Sequence, residues 1–278
     1  MVAINTNLSA LVAKNALNHA NQASSQAMAQ LSTGKRINSA ADDAAGLAIS
    51  NKLSSRIMGL DMAVRNANDG ISMLQTADAA AGVLSDMLFR MRDLSVQAGN
   101  DTNSSSDREA LQSEVSALQS QIGNVLNNTK WNDMKVLKGE AGSSGTVSFQ
   151  VGASDSDAFT LTMSTLDTGS LASAQTSASI DISTQSGAAS ALAVIDEALT
   201  EIDQARTDWG ATANRLVHAA DNSANISLNS QASRSTLVDT DYAQATASLA
   251  RAMILEEAGA AMLTQANQQP IYVLSLLR

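Results

Sequence analysis

Apolar residues recur at helical spacing along most of this chain, and the regions where the spacing fails divide it. Ile4, Leu8, Leu11 and Val12 are followed at helical intervals by Ala16, Ala20, Ala23, Ala27 and Leu31 on a background of Asn, Gln and Ser. A stripe this thin buries little area, so the pattern predicts a first helix that is ordered by a partner helix. Leu53, Ile57, Leu60, Val64, Ala67, Ile71 and Leu74 then alternate spacings of four and three. Ala77, Ala81, Leu84, Leu88 and Met91 continue after a three-residue slip at Leu74 to Ala77. A sustained 3.5-residue repeat indicates helices wound about each other, and a slip of three overwinds them locally. From about Ala44 to the Gly99-Asn100 cap pair this is one helix of roughly 80 Å. Ser106 with Glu109 forms a capping box, and Leu111, Val115, Leu118, Ile122 and Val125 carry the heptad on to Asn127-Asn128. The short connection from Gly99 to Ser105 makes this helix antiparallel to the one before it.

Mid-chain the period changes to two. Val147, Phe149 and Val151, then Phe159, Leu161 and Met163, alternate with polar residues around the turn cluster Gly152–Asp157, which predicts a β-hairpin within about 131–166. From Ser164 to Ser186 Ser and Thr dominate, and the segment reads as a surface excursion or a loosely folded stretch. Heptads return at Leu192, Ile195, Leu199, Ile202, Trp209, Ala213, Leu216 and Ala220, and falter from Arg234 to Thr240. A last helix, led by Asp239 or Thr240, carries Tyr242, Ala245, Leu249, Met253, Ala260 and Leu263 until Pro270 stops or kinks it.

Leu31–Ala48 is the counterpart of the faltering stretch at 234–240. Gly34, Asn38 and Ser39 weaken the first helix, and Asp42-Asp43 suit the N-terminus of the next. The segment is a joint between two helical rods. The fold class that follows is mainly α: an elongated antiparallel coiled-coil bundle with a small β-hairpin element and paired N- and C-terminal helices.

Composition sharpens this. Apolar residues make up 44% of the 278 positions but aromatics only 3%, which suits helix seams better than a globular core. A formal charge of −10 excludes a nucleic-acid footprint. No apolar run approaches the roughly 20 residues of a membrane span, and residues 1–7 lack the features of a secretory signal. The chain has no cysteine, and its two histidines, His19 and His218, have no partner at metal spacing. No cofactor is implied and no catalytic constellation emerges. What stands out is unsatisfied apolar surface at both ends: Ile4, Leu8 and Leu11, and Val273, Leu274, Leu276 and Leu277. Free termini are usually polar. A head-to-tail contact between such ends that does not close generates a filament. An intracellular coiled-coil adaptor would instead need unbroken heptads with a hairpin at the tip.

Leu31-Ser-Thr-Gly-Lys-Arg-Ile-Asn-Ser-Ala-Ala-Asp-Asp-Ala-Ala-Gly-Leu-Ala-Ile49 closely resembles the N-terminal signature of bacterial flagellins. Val64–Ser72, Leu94–Gln97, Thr264–Gln268 and Val273–Leu277 are similar to that family too. The resemblance covers roughly 1–140 and 190–278 and points to a short filament subunit without large variable outer domains. It implies an inner, lumen-lining domain from 1–40 and 236–278, and an outer helical-bundle domain from 41–235. It also implies a homo-polymer outside the cell, on the bacterial flagellum, exported without a cleaved signal through the type III channel. The partners implied are an export chaperone, filament cap and hook-junction proteins. A hook–filament junction protein shares the terminal signatures. Leu88–Gln97 is similar to the family's motif for Toll-like receptor 5, which implies receptor contacts at Arg90, Leu94 and Glu114. Asp133 stands where the family favours Gly in a turn, and Asp tolerates positive φ better than most residues.

Overall fold

The computed structural model describes residues 6–142, 145–163, 165–166, 169–175 and 180–275. In chain order these form α1 (Leu8–Thr33), α2 (Ala44–Ala98), α3 (Ser105–Asn128), β1 (Lys130–Trp131), β2 (Met134–Lys135), β3 (Thr146–Gln150), β4 (Ala158–Thr162), α4 (Gly169–Ala174), α5 (Gln185–Val238) and α6 (Tyr242–Ser275). The mainly helical class with a small β element is as the sequence led one to expect. Two compact units divide the chain, Met1–Ser55 with Asn229–Arg278 and Arg56–Leu228, and α2 and α5 contribute to both.

The core of the Arg56–Leu228 unit forms where α2, α3 and α5 bring their seams together. On α2 a row of buried positions, Leu60, Ala63, Ala67, Gly70, Leu74, Ala77, Ala81, Leu84, Leu88, Met91, Ser95 and Ala98, alternates spacings of three and four without a break, and Met73, Ser85 and Leu94 widen it. The expected slip at Leu74 to Ala77 is therefore absent. Two consecutive spacings of three fall instead at Ile57, Leu60 and Ala63. Val64 and Ile71, the larger apolar residues, are only half-buried beside the seam. Gly70 holds the seam position because the Phe149 ring and the Leu216 side chain approach within 3.1–3.3 Å of where a Cβ would stand. A side chain there would push the hairpin away.

Arg108 Nε donates to the Ala98 carbonyl at 2.8 Å, fixing α3 antiparallel to α2. Arg206 reaches Asp78 at 2.7 Å and Arg92 reaches Asp196 at 2.8 Å, which sets α5 antiparallel to α2 in this unit. The capping box on α3 is built two residues earlier than expected. Ser104 is the cap and Asp107 its reciprocal partner, with the Asp107 carboxylate accepting from the Ser104 amide at 3.0 Å. Two overlapping frames compete here, and the shorter Asp side chain closes the box while Glu109 points to solvent.

Strands β3 and β4 pair antiparallel with Phe149 opposite Phe159 and Val147 opposite Leu161, as the alternation indicates. Asn66 Nδ2 donates to the Gln150 carbonyl at 3.0 Å and Ser223 Oγ to the Val151 carbonyl at 2.9 Å, tying the hairpin to α2 and α5. The Arg215 guanidinium lies 4.6 Å from the Phe159 ring centre. A second, two-residue hairpin, β1–β2, turns through Asn132 and Asp133 with φ of 47° and 63°. Both values are positive, as a type I′ turn requires, so Asp133 takes up the conformation a glycine would adopt.

The Ser/Thr-rich stretch is not a surface excursion. Leu166, Leu171, Ala174, Ile180 and Ile182 are fully buried in the core, and the Ile182 amide donates to Gln112 Oε1 at 2.7 Å. These five apolar residues point inward, covering a face of the bundle that the long helices leave open. At the last helix the cap is corrected, and of the two alternatives for Pro270 the stop is ruled out. Asp241, not Asp239 or Thr240, caps α6, accepting from the amides of Ala243 at 2.9 Å and Gln244 at 3.2 Å. Pro270 lies inside α6, which continues to Ser275.

Candidate assembly surfaces

In the first unit α1 and α6 pair antiparallel. Asn7 caps α1 through Oδ1, which accepts from the Ala10 amide at 3.1 Å, while its Nδ2 donates across to the Ala266 carbonyl at 2.7 Å. The seam positions at the start of and along α1 that are withdrawn from water are Asn7, Ala10, Ala13, Leu17, Ala20, Ser24, Ala27 and Leu31, with Gln30 half-buried beside them. On α6 they are Ala245, Leu249, Ala252, Glu256, Gly259, Leu263 and Ala266. The α6 row alternates spacings of four and three, the α1 row does so from Ala10 onward, and both are dominated by Ala, Gly and Ser. The backbones come close enough that a Cβ on Gly259 would touch Leu17 at 3.5 Å.

This seam differs from the stripe the sequence suggested. Ala20, Ala27 and Leu31 belong to it, but Leu8, Leu11, Val12, Ala16 and Ala23 are exposed. Leu8 is 67% exposed and Ile254 68%, and with Leu11, Val12, Met253, Leu255 and Met262 they leave the pair covered in outward apolar side chains. Leu8, Val12 and Met262 line a groove of about 460 Å³. Met253, Ile254, Leu255 and Met262 are the residues that sequence reasoning missed as an outward set. Their signal was available in the row of small residues at Ala245, Ala252 and Gly259, which marks the opposite face. Of the terminal residues expected to drive assembly, Ile4, Leu276 and Leu277 lie outside the described residues. Val273 and Leu274 are within α6, with side chains outside the description.

The joint is held by its counterpart. Gly34 ends α1 with φ +68°, a left-handed cap that places its carbonyl to accept from the Thr240 amide at 2.9 Å. The Arg36 amide donates to the Val238 carbonyl at 2.6 Å and its guanidinium to the Leu237 carbonyl at 2.7 Å, so the last turn of α5 is capped by the joint. Asp42 and Asp43 have separate tasks. Asp42 accepts from the amides of Ser39 and Asn38, which hold its carboxyl below the usual carboxylate range. Asp43 caps α2, accepting from the Gly46 amide at 2.8 Å. Ile37 is buried beneath them.

In the other unit Arg90 pairs with Glu114 at 2.7 Å across α2 and α3, and that partner raises the Arg90 pKa. Leu94 does not join them at the surface. It is 1% exposed and packed in the core. Phe89, beside Arg90, and Val96 are the large exposed apolar residues of that stretch. His19 and His218 are exposed. Among the described residues no group of His, Cys, Asp and Glu is arranged to hold a metal, and no helix is long and apolar enough to cross a membrane.

Residues 4–141 match the bacterial flagellin N-terminal helical region, and residues 192–277 match the bacterial flagellin C-terminal helical region. The chain belongs to the bacterial flagellin family. A flagellin of Halalkalibacterium halodurans is 42% identical over 275 residues, covering 99% of each chain. Flagellin B of Vibrio cholerae serotype O1 is 34% identical over 374 residues, again covering 99% of each. A crystal structure of Bacillus cereus flagellin is similar over 57% of this chain and 88% of its own, at 28% identity and a TM-score of 0.49. This flagellin is thus a structural subunit of the flagellar filament, an extracellular polymer, and not an enzyme. The matched regions contain α1 to α3 and α6 whole, together with most of α5. The β3–β4 hairpin and α4 lie between them.

Proposed function

We propose that α1 and α6 form the part of this flagellin that packs copies into the filament, through Leu8, Leu11 and the outward row on α6. The carrying observation is the division of labour on these helices: small residues face within the pair, and large apolar residues face water. Unassembled, such a surface costs free energy that a neighbouring copy removes. Ile4, Val273, Leu274, Leu276 and Leu277 extend the set at the chain ends, and residues 1–40 with 236–278 act as the inner, lumen-lining domain. The same surface in the monomer calls for an export chaperone, with passage through the type III channel without a cleaved signal. Filament cap and hook-junction proteins meet it at the polymer's two ends. Electron microscopy of the purified chain under polymerising conditions tests the reading. Helical filaments are expected, and a chain that stays monomeric at high concentration overturns it.

A second reading rests on the Arg90–Glu114 pair. An exposed cation and anion bridging two helices, beside the exposed Phe89, support recognition of the monomer by Toll-like receptor 5. Leu94 then acts from below, fixing the pitch of α2 under Arg90, rather than as a contact.

A further inference from the structure

The two units carry very different charge. The first, 1–55 with 229–278, has seven Lys and Arg against six Asp and Glu; the second, 56–228, has ten against twenty-one. The chain's net negative charge therefore lies on the helical bundle.

Within the first unit, beside the joint, is a cavity of about 300 Å³ whose lining includes Lys35, Asn51, Ser54, Arg234 and Asp239. Arg234 Nη1 donates to Ser54 Oγ at 3.2 Å, and neither Arg234 nor Lys35 makes an ion pair among the described residues. The cavity's own carboxylate, Asp239, accepts from the Ser235 hydroxyl at 2.6 Å and balances one of the two cations. The backbone around it is fixed by the Lys35–Asp239 bridge and the Arg36 contacts with Leu237 and Val238. Two cations, a hydroxyl and an amide line a concave site that holds one carboxylate, which leaves a net positive charge. That arrangement fits a carboxylate, which accepts several hydrogen bonds at once.

We propose that this cavity receives an Asp or Glu side chain from the acidic 56–228 unit of a second copy, making the joint an electrostatic socket between subunits. Charge complementarity selects the occupant. The 56–228 unit of every neighbour is strongly acidic, whereas a neighbour's first unit is nearly neutral. The inference rests on the polymerisation of this chain.

The test uses filaments grown from an equal mixture of ordinary and nitrogen-15-labelled chains, treated with a carbodiimide. This reagent joins an ammonium to a carboxylate in contact, with loss of water. Mass spectrometry is expected to find Lys35 linked to an Asp or Glu of 56–228 on a differently labelled copy. Lys35 linked only to Asp239, linked to a carboxylate of a neighbour's first unit, or left unlinked while other lysines react overturns the proposal. As a second measurement, Lys35→Gln should raise the critical concentration for assembly roughly two- to fivefold at low salt, with the difference gone near 0.5 M salt. Unchanged assembly at low salt, with the monomer melting as wild type, also overturns it. Wild-type chains that form no filaments at all would sink the polymer reading itself, an outcome distinct from filaments lacking the Lys35 link.

Discussion

Ile254 and Ala252 stand two residues apart on α6 and face opposite environments. Ile254 is 68% exposed, and Ala252 is 3% exposed against the α1–α6 seam. Fully burying an isoleucine side chain is worth roughly 1.5–3 kcal/mol. With two thirds of its area still in water, Ile254 holds about 1–2 kcal/mol that only a neighbouring copy can realise. Ile254→Ala removes most of that while gaining a few tenths of a kcal/mol of helix propensity in the monomer. Thermal melting of the monomer should therefore stay level or rise slightly. The critical concentration for polymerisation, measured by sedimenting filaments, should rise roughly five- to thirtyfold, at tenfold per 1.4 kcal/mol. Ala252→Leu should do the reverse within one chain. Three further carbons forced into a seam built for close approach cost about 1–3 kcal/mol and lower the melting temperature before any polymer forms. Filaments of Ile254→Ala with wild-type critical concentration would refute the argument. So would a monomer that melts well below wild type, because it would mean Ile254 already packs within its own chain.

Gln119 lies in the middle of α3 at 3% exposure, and neither its amide nitrogen nor its oxygen has a partner. Leucine fits nearly the same volume, so Gln119→Leu should stabilise the unit by about 1–3 kcal/mol in a denaturant melt; a loss of stability would show that the amide is satisfied after all. Arg90 and Glu114 side chains are 54% and 43% exposed, so water screens their ion pair and it contributes little to folding. Arg90→Ala should leave the melt unchanged and weaken Toll-like receptor 5 signalling at least threefold in a reporter-cell assay, and full signalling by the folded variant would remove Arg90 from the contact.

The helices, the joint and the hairpin were legible because each follows from spacing alone. Period 3.5 on α2 and period 2 on β3 and β4 survive whatever surrounds them. What spacing could not supply was phase. On α2 the eye is drawn to Val64 and Ile71, yet Ala63 and Gly70 are the buried positions, since the β3–β4 hairpin presses Phe149 against that side. On α1 Leu8 and Leu11 look like core and Asn7, Ala10 and Ala13 like filler, yet the filler faces α6. Hydrophobic size signals burial only when one chain supplies all the partners. In a subunit that completes its core with copies of itself, the largest apolar side chains serve the contact not yet made. The residues that pack first are small ones, which let two helices meet closely enough to present the rest. Leu166, Leu171, Ile180 and Ile182 failed to register for a different reason. They cover a bundle face without any period, so only the demand of α3 and α5 for cover could have located them. The same distinction explains Leu94. A motif read from sequence placed it with Arg90 and Glu114, but the heptad of α2 turns it inward, and a residue that continues a seam belongs to the fold before it belongs to a partner.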